Sequence, residues 1–165
     1  MKAALLLAAA LLLPLPGLAQ TVGIGPETGL PLPRFQSLQF NKVNLRRGPG
    51  ETYPIAWTYL RRGLPVEVFQ EYEDWRHVRD HDGATGWIKR TQLSLGRSGL
   101  VQGTRAALHA EPEDGSRIVA RAEPGVVFTL IACELEWCRA KAQGYRGWVR
   151  KTGLWGVADA ETFGE

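Results

Sequence analysis

The chain says the same thing twice. Leu45, Pro49, Ile55, Gly63, Trp75, Gly86, Trp87 and Ile88 recur as Leu108, Pro112, Ile118, Gly125, Trp137, Gly147, Trp148 and Val149. The offset slides only from 63 to 61 residues, and the step from the Gly to the first Trp is twelve in both copies. A period of about 60 residues defines two small domains of one kind, and both fold and function must be read from that unit.

The N-terminus reads as a leader. Met1-Lys2 is a short positive start, Ala3 to Leu13 is an unbroken apolar run of eleven, and Gly17-Leu18-Ala19 ends in small residues after Pro14 and Pro16. This pattern predicts a secretory signal peptide over 1–19, cleaved after Ala19. An apolar helix of that length reaches roughly 17 Å, short of a hydrocarbon core of about 30 Å, so a membrane span is not expected. The expected location is the periplasm or the medium. Residues 20–33 hold Gly23, Gly25, Pro26, Gly29, Pro31 and Pro33. Such a density of breakers predicts an extended linker without strand or helix.

Removing Lys2 from the 20 basic residues leaves 19 against 17 acidic ones, a net charge of +2. That balance argues against a nucleic-acid binder, which needs a strong basic patch. It permits weak attraction to an anionic polymer such as cell wall.

Cys133 and Cys138 are the only cysteines and flank Glu134-Leu135-Glu136-Trp137. In an oxidising compartment such a pair tends to bridge. If the segment is a hairpin, the two face each other across paired strands, within disulfide range. A redox dithiol usually spaces its cysteines by two residues, and zinc needs further ligands, whereas His77, His81 and His109 show no ligand spacing. No metal and no cofactor are expected.

The rest reads as short strands between turn signals. In the first unit, 34–96, strands are expected over 37–45, 57–60, 65–69, 75–79 and 86–89. Turns are expected at Arg47-Gly48-Pro49-Gly50, Arg61-Arg62-Gly63, Glu73-Asp74 and Asp82-Gly83, and one helical turn at Arg90-Thr91-Gln92. The second unit, 97–157, repeats the plan, and residues 158–165 form an acidic tail. The fold class is all-β: two tandem small barrels after a signal peptide and a Gly/Pro-rich linker. Units of this size are marginal alone, so the two are expected to pack together.

Val43-Asn44-Leu45-Arg46-Arg47-Gly48-Pro49-Gly50, followed by Tyr53-Pro54 and by Trp75 with Gly86-Trp87-Ile88, resembles the motifs of bacterial SH3 domains. The second copy, with Trp137-Cys138-Arg139, Gly147-Trp148-Val149 and Leu154-Trp155-Gly156-Val157, completes a pattern similar to exported tandem SH3-like proteins. The resemblance covers about 39–157. It implies SH3-like barrels, non-catalytic binding, and cell-wall peptidoglycan or peptide as partner. The second copy departs from the opening motif: Asn44, Arg46, Gly48 and Gly50 become Ala107, His109, Glu111 and Glu113. Those four residues serve either a turn geometry particular to the first copy or a ligand.

Catalysis has little support. The cysteines are paired by position, no histidine belongs to a recognisable motif, and Glu71, Glu73, Asp74, Asp80 and Asp82 fall at turns and strand edges, where a solvated surface role is expected. Binding is the live class. The candidate ligand residues are Arg46, Arg47, Tyr53, Trp57, Tyr59 and Trp87. The recurrence of Trp75 and Trp87 favours a packing role for both. Trp57 and Tyr59 have Ala120 and Ala122 as counterparts and alternate along one strand. They are therefore expected to share a face, either against the second domain or toward a ligand. Arg46 and Arg47 stand ready for a carboxylate, while Arg61-Arg62 reads as a solvated edge. The expected partner is peptidoglycan peptide or glycan bound by the first domain; the alternative is a periplasmic protein or peptide held by an adaptor. If the bridge forms, the native chain titrates with no free thiol, and two thiols appear only after reduction.

Overall fold

The computed structural model describes residues 23–164. The leader expected over 1–19 and the first three linker residues lie outside them. The described chain starts with β1 (Gly23–Ile24) and β2 (Pro31–Leu32). The first unit then runs β3 (Arg34–Leu38), β4 (Val43–Arg46), β5 (Ile55–Tyr59), β6 (Pro65–Tyr72), β7 (Trp75–Arg79), β8 (Thr85–Lys89), a 3-10 turn at Arg90–Gln92, and β9 (Leu93–Ser94). The second runs β10 (Ser98–Val101), β11 (Ala106–His109), β12 (Ile118–Ala122), β13 (Val127–Cys133), β14 (Trp137–Ala142), β15 (Tyr145–Arg150) and β16 (Leu154–Trp155). No α-helix occurs among the described residues.

The two units are one topology written twice. The first sheet has the order β5-β4-β8-β7-β6-β3-β9 and the second β12-β11-β15-β14-β13-β10-β16. Neighbouring strands are antiparallel throughout. Even the irregularities repeat. Register shifts fall at Leu45/Arg46 and Leu108/His109, and again at Val68/Gln70 and Leu130/Ala132. Bulges of this kind bend a strand and let a short sheet curl on itself. Each curled sheet encloses its own core. Leu38, Val43, Leu45, Val66, Val68, Val78 and Ile88 fill the first. Leu108, Phe128, Leu130, Cys138, Ala140 and Val149 fill the second.

The recurring glycines have two separate causes. Gly63 and Gly125 adopt positive φ (81° and 87°). Each donates its N–H to the carbonyl that ends the first strand, Leu38 or Val101. A side chain is strained there whatever the space. Gly86 and Gly147 instead lie where strands cross. A Cβ would stand 2.7 Å from the Arg46 carbonyl oxygen at the first and 2.4 Å from that of His109 at the second.

The barrels pack directly on each other. Ser37 Oγ and Ser98 Oγ are 2.6 Å apart in a buried contact. The Phe35 and Trp155 rings meet edge to face at 5.2 Å. Arg61, expected at a solvated edge, donates to the Gly125 carbonyl of the second barrel. Cys133 and Cys138 form a disulfide across the β13–β14 hairpin, where they are register partners. The acidic tail is docked. Glu161 binds Arg97, Lys151 Nζ donates to the Asp159 and Glu161 carbonyls, and Phe163 pairs with Cys133.

Two stretches correct their expectations. Residues 37–45, expected as one strand, are split between β3, which ends at Leu38, and β4, which starts at Val43. Residues 23–33 form a hairpin rather than an extended linker, with Gly23 opposite Leu32 and Ile24 opposite Pro31. Two such strands are too short to hold alone. A buried carboxylate holds them. Glu71 accepts from the Glu27 and Thr28 N–H groups at 3.0 and 3.1 Å, from Thr28 Oγ1 at 2.7 Å and from Arg34 at 2.7 Å, with Arg76 at 3.5 Å. Gly25 leaves room for it, since a Cβ would lie 2.4 Å from Glu71 Oε2. Glu71 and Asp80 thus depart from the solvated role expected of them. Asp80 is also buried; it accepts from the Asp82 and Ala84 N–H groups and from the Tyr59 hydroxyl.

Burial opposes ionisation of Glu71, but the Thr28, Arg34 and Glu27 donors outweigh it and hold the carboxyl at about 2. A carboxyl lowered on folding stabilises the fold above its unfolded pKa, near 4.5, and that stability is lost as pH falls toward 2. The expected loss is on the order of 3 kcal/mol. We predict that the melting temperature falls steeply across this window and that Glu71→Gln flattens the fall. At neutral pH the same variant should exchange the 23–33 amides fastest, as measured by hydrogen exchange.

Candidate binding face of the first barrel

Strand alternation sorts the side chains of the first unit into two sets. Gly86 and Ile88 of β8 and Val78 of β7 point into the core. The intervening residues line the outer face, where register partners form a row across five strands. Ile55 stands opposite Arg46, Arg46 opposite Trp87, Trp87 opposite His77, and His77 opposite Gln70 beside the bulged Phe69. Trp87 stacks on His77 with centroids 4.6 Å apart and planes 7° apart, and His77 meets Phe69 at 4.4 Å. Burial lowers the His77 pKa, which keeps the stack uncharged at neutral pH. The next row pairs Trp75 with Lys89. Lys89 binds Glu51 at 2.6 Å, which ties the row to the loop between β4 and β5. The Glu51 pKa is lowered by that contact.

The 47–54 loop answers the question posed by the departing motif. Its backbone bonds run Arg47 N–H to Pro54, Gly50 N–H to Gly48 and Tyr53 N–H to Gly50. The second copy makes the same three: Ala110 to Arg117, Glu113 to Glu111 and Ser116 to Glu113. The turn therefore forms without glycine at the positions of Gly48 and Gly50. What demands glycine is the Tyr53 ring. A Cβ on Gly48 would lie 2.4 Å from that ring and one on Gly50 3.2 Å from it. Ser116 replaces the ring in the second copy and bonds Glu111 instead. Asn44 and Arg46 also have local partners: Asn44 Oδ1 accepts from Thr58, and Arg46 donates to the Tyr53 carbonyl at 2.7 Å.

Of the six residues singled out from sequence, the structure brings Arg46 and Trp87 together in the outer row. Tyr53 lies over the adjoining loop and is 46% exposed. Arg47 is exposed, and its side chain makes no hydrogen bond or ion pair among the described residues. Trp57 is 60% exposed on β5, opposite Leu45. Tyr59 corrects the expectation that it shares an open face with Trp57. It is only 6% exposed, and its hydroxyl donates to Asp80. Burial and the Asp80 carboxylate both raise its pKa. The ladder explains the split: β5 ends the sheet, its Tyr59 end closes over the core, and its Trp57 end overhangs. Phe69, His77, Glu51 and Lys89 were missed. For His77 and Lys89 the signal was present, since each lies two residues from a recurring Trp on one strand.

The second barrel closes the equivalent face. Arg150, opposite Trp137, lies 4.6 Å over its ring and binds both Asp114 and Glu136, so it bridges the two flanking loops. Asp114 is lowered and Arg150 raised by the pairing. In the first barrel Lys89 reaches only Glu51, and Asp74 of the other loop is taken by Arg90.

The bacterial SH3 domain profile matches residues 39–94 and again 102–156. The chain belongs to the bacterial SH3 domain family. Domains of this family are generally non-catalytic cell-wall binding modules. No curated protein matches the chain. Among solved structures it is similar to NlpC2 from Trichomonas vaginalis, at 17% identity over 76% of this chain and 48% of that one, TM-score 0.36. It is also similar to NlpC1 from the same organism, at 17% over 79% and 48%, TM-score 0.35. An NlpC/P60 family protein from Bacillus cereus matches at 15% over 73% and 55%, TM-score 0.34. The chain spans about half the length of these proteins. Among the described residues of this tandem bacterial SH3 chain, no helix is long and apolar enough to cross a membrane, and no cluster of three or more His, Cys, Asp or Glu is placed to hold a metal.

The ring-on-glycine packing makes a checkable double substitution. Gly48→Ala alone should destabilise the first bacterial SH3 unit by about 1–3 kcal/mol through overpacking against Tyr53. Combined with Tyr53→Ser, which reproduces the second copy, it should cost much less, as measured by chemical denaturation.

Proposed function

We propose that this chain is a non-catalytic envelope protein whose first barrel binds cell-wall peptidoglycan, by peptide or glycan, after export. The observation that carries this reading is the asymmetry of the two copies. One barrel presents Tyr53, Ile55 and Trp57 along one exposed segment beside the unpartnered Arg47 cation. The other puts Ser116, Ile118 and Ala120 in the same places and straps its outer face with Arg150. Exposed rings suit extended peptides and sugar faces, and a free guanidinium suits a stem-peptide carboxylate. A scaffold used twice, with large rings exposed along this edge in one copy only, fits a division between recognition and support.

The disulfide fits an extracytoplasmic setting. Both cysteines of the chain are in that bridge, so a cysteine-peptidase reading has no thiolate to act with. The second reading, an adaptor holding a periplasmic protein, rests on the same exposed rings.

Sedimentation with purified cell wall tests the proposal. The protein should pellet with the wall, and Trp57→Ala and Arg47→Ala should each weaken pelleting by about tenfold, as expected for loss of one buried ring or one charge-assisted contact. Unchanged pelleting in both variants would remove the first barrel's edge from the site. Absence of pelleting, with a single envelope protein crosslinked through a photoreactive group at position 57, would favour the adaptor. Release of soluble wall fragments by the pure protein would defeat the non-catalytic reading.

A further inference from the structure

The chain after Val157 lies on the second barrel without entering it. None of the described residues 158–164 is buried. A few discrete contacts hold them. Glu161 accepts from Arg97 Nη2 at 2.9 Å, and Lys151 Nζ donates to the Asp159 and Glu161 carbonyls at 2.9 and 2.6 Å. Phe163 exchanges two backbone bonds with Cys133, at 2.8 and 3.1 Å. The Arg97 guanidinium lies over the Phe163 ring, 5.1 Å from its centroid, and the ring packs against the margin of the second core. The first barrel treats the same positions differently. Arg34 is the counterpart of Arg97: one pairs with Val68 and the other with Leu130, each just before a bulge. Arg90 is the counterpart of Lys151, and their N–H groups donate to the matching Asp74 and Glu136 carbonyls. Arg34 binds Glu71 and Arg90 binds Asp74, acids of their own barrel. In the second barrel Cys133 replaces Glu71, and the Glu136 carboxylate is taken by Arg150. Lys151, only 4% exposed, has no carboxylate partner among the described residues. A buried ammonium must have its hydrogen bonds supplied, and the 158–163 segment supplies them.

We propose that this seat is a peptide-binding site for a Glu-x-Phe segment of a partner polypeptide, with residues 158–163 as its exchangeable occupant in cis. The ligand chemistry is that of the segment now seated. It brings a carboxylate to Arg97, a phenyl ring under the same guanidinium, two main-chain carbonyls to Lys151 and a backbone that bridges Cys133. Charge complementarity sets the sign of the partner, since neither Arg97 nor Lys151 has an acidic side chain of its own barrel as partner. A segment with no buried residue and so few bonds opens at a far lower free energy than the strands beneath it. A partner in trans then meets a seat already formed, and its apparent affinity is reduced only by the fraction of time the cis segment occupies it. This site lies in the other barrel from the ring-bearing edge and does not depend on the cell-wall reading.

The test uses the full chain and the probe acetyl-Ala-Glu-Thr-Phe-Gly-amide, which copies residues 160–164. The double variant Glu161→Gln, Phe163→Ala weakens the cis occupant. It should bind the probe at least about tenfold more tightly than the unsubstituted chain does, with shifts of the Cys133 and Lys151 amide signals in NMR titration. On that variant, acetyl-Ala-Gln-Thr-Phe-Gly-amide and acetyl-Ala-Glu-Thr-Ala-Gly-amide should each bind about tenfold more weakly than the probe, and adding Arg97→Met should weaken the probe as much. Raised salt should weaken the glutamate probe more than its glutamine analogue. If the double variant does not fold, Glu161→Gln alone carries the same comparison. In the unsubstituted chain the Phe163 amide should exchange with deuterated solvent at least about tenfold faster than the Val149 amide. Exchange of Phe163 as slow as that of Val149, no binding of the probe to the folded variant at millimolar concentration, or equal binding of the three peptides would each overturn the proposal. A dimer of the unsubstituted chain that is lost in the double variant would give the seat to a second copy and overturn it as well.

Discussion

Two backbone crossings hold this architecture. Where β8 passes β4, Gly86 brings its Cα so close to the Arg46 carbonyl that no Cβ fits, and Gly147 does the same against His109. Just there each β4-type strand carries its bulge. Close contact and bulge together turn a short antiparallel ladder into a curled one, and only a curled ladder of this length can enclose a core. The Trp after each glycine is thereby set on the outer face, and the Ile or Val after it in the core. The recurring Gly-Trp-Ile/Val triplet is thus one mechanical device with three parts.

On that frame the two copies have been spent differently. The first copy keeps its interior full, with Tyr59 tied to Asp80, and leaves rings at its edge. It also takes an extra hairpin under the Glu71 carboxylate, which accepts from backbone, hydroxyl and guanidinium donors at once. The second copy covers Trp137 with Arg150, clamps a hairpin with a disulfide, and folds its tail back through Glu161, Lys151 and Phe163. The barrels are joined by a few close contacts, the buried Ser37–Ser98 pair and the Phe35–Trp155 ring contact among them.

Much of this was legible beforehand because it is local. Turn chemistry at Gly63, Asp82-Gly83 and Glu73-Asp74, strand alternation over 75–79, and the single helical turn at 90–92 all depend on neighbours in sequence. So does the cysteine pair, once the segment between is a hairpin. The misreadings share the opposite character. Residues 23–33 look like slack until Glu71, more than 40 residues away, gathers their N–H groups. Tyr59 and Trp57 have the same parity on one strand, yet the curl of the sheet buries one and leaves the other out.

The sequence by itself determined that there are two copies of one all-β unit, where their turns fall, and which cysteines can meet, because periodicity and backbone restriction act over a few residues. Only the tertiary structure decided which polar groups go inside and why Gly48 and Gly50 belong to Tyr53 rather than to their turn. Those outcomes are set by distances between strands far apart in the chain, and a steric contact at 2.4 Å or a carboxylate sharing several donors leaves no periodic trace in the residues that make it.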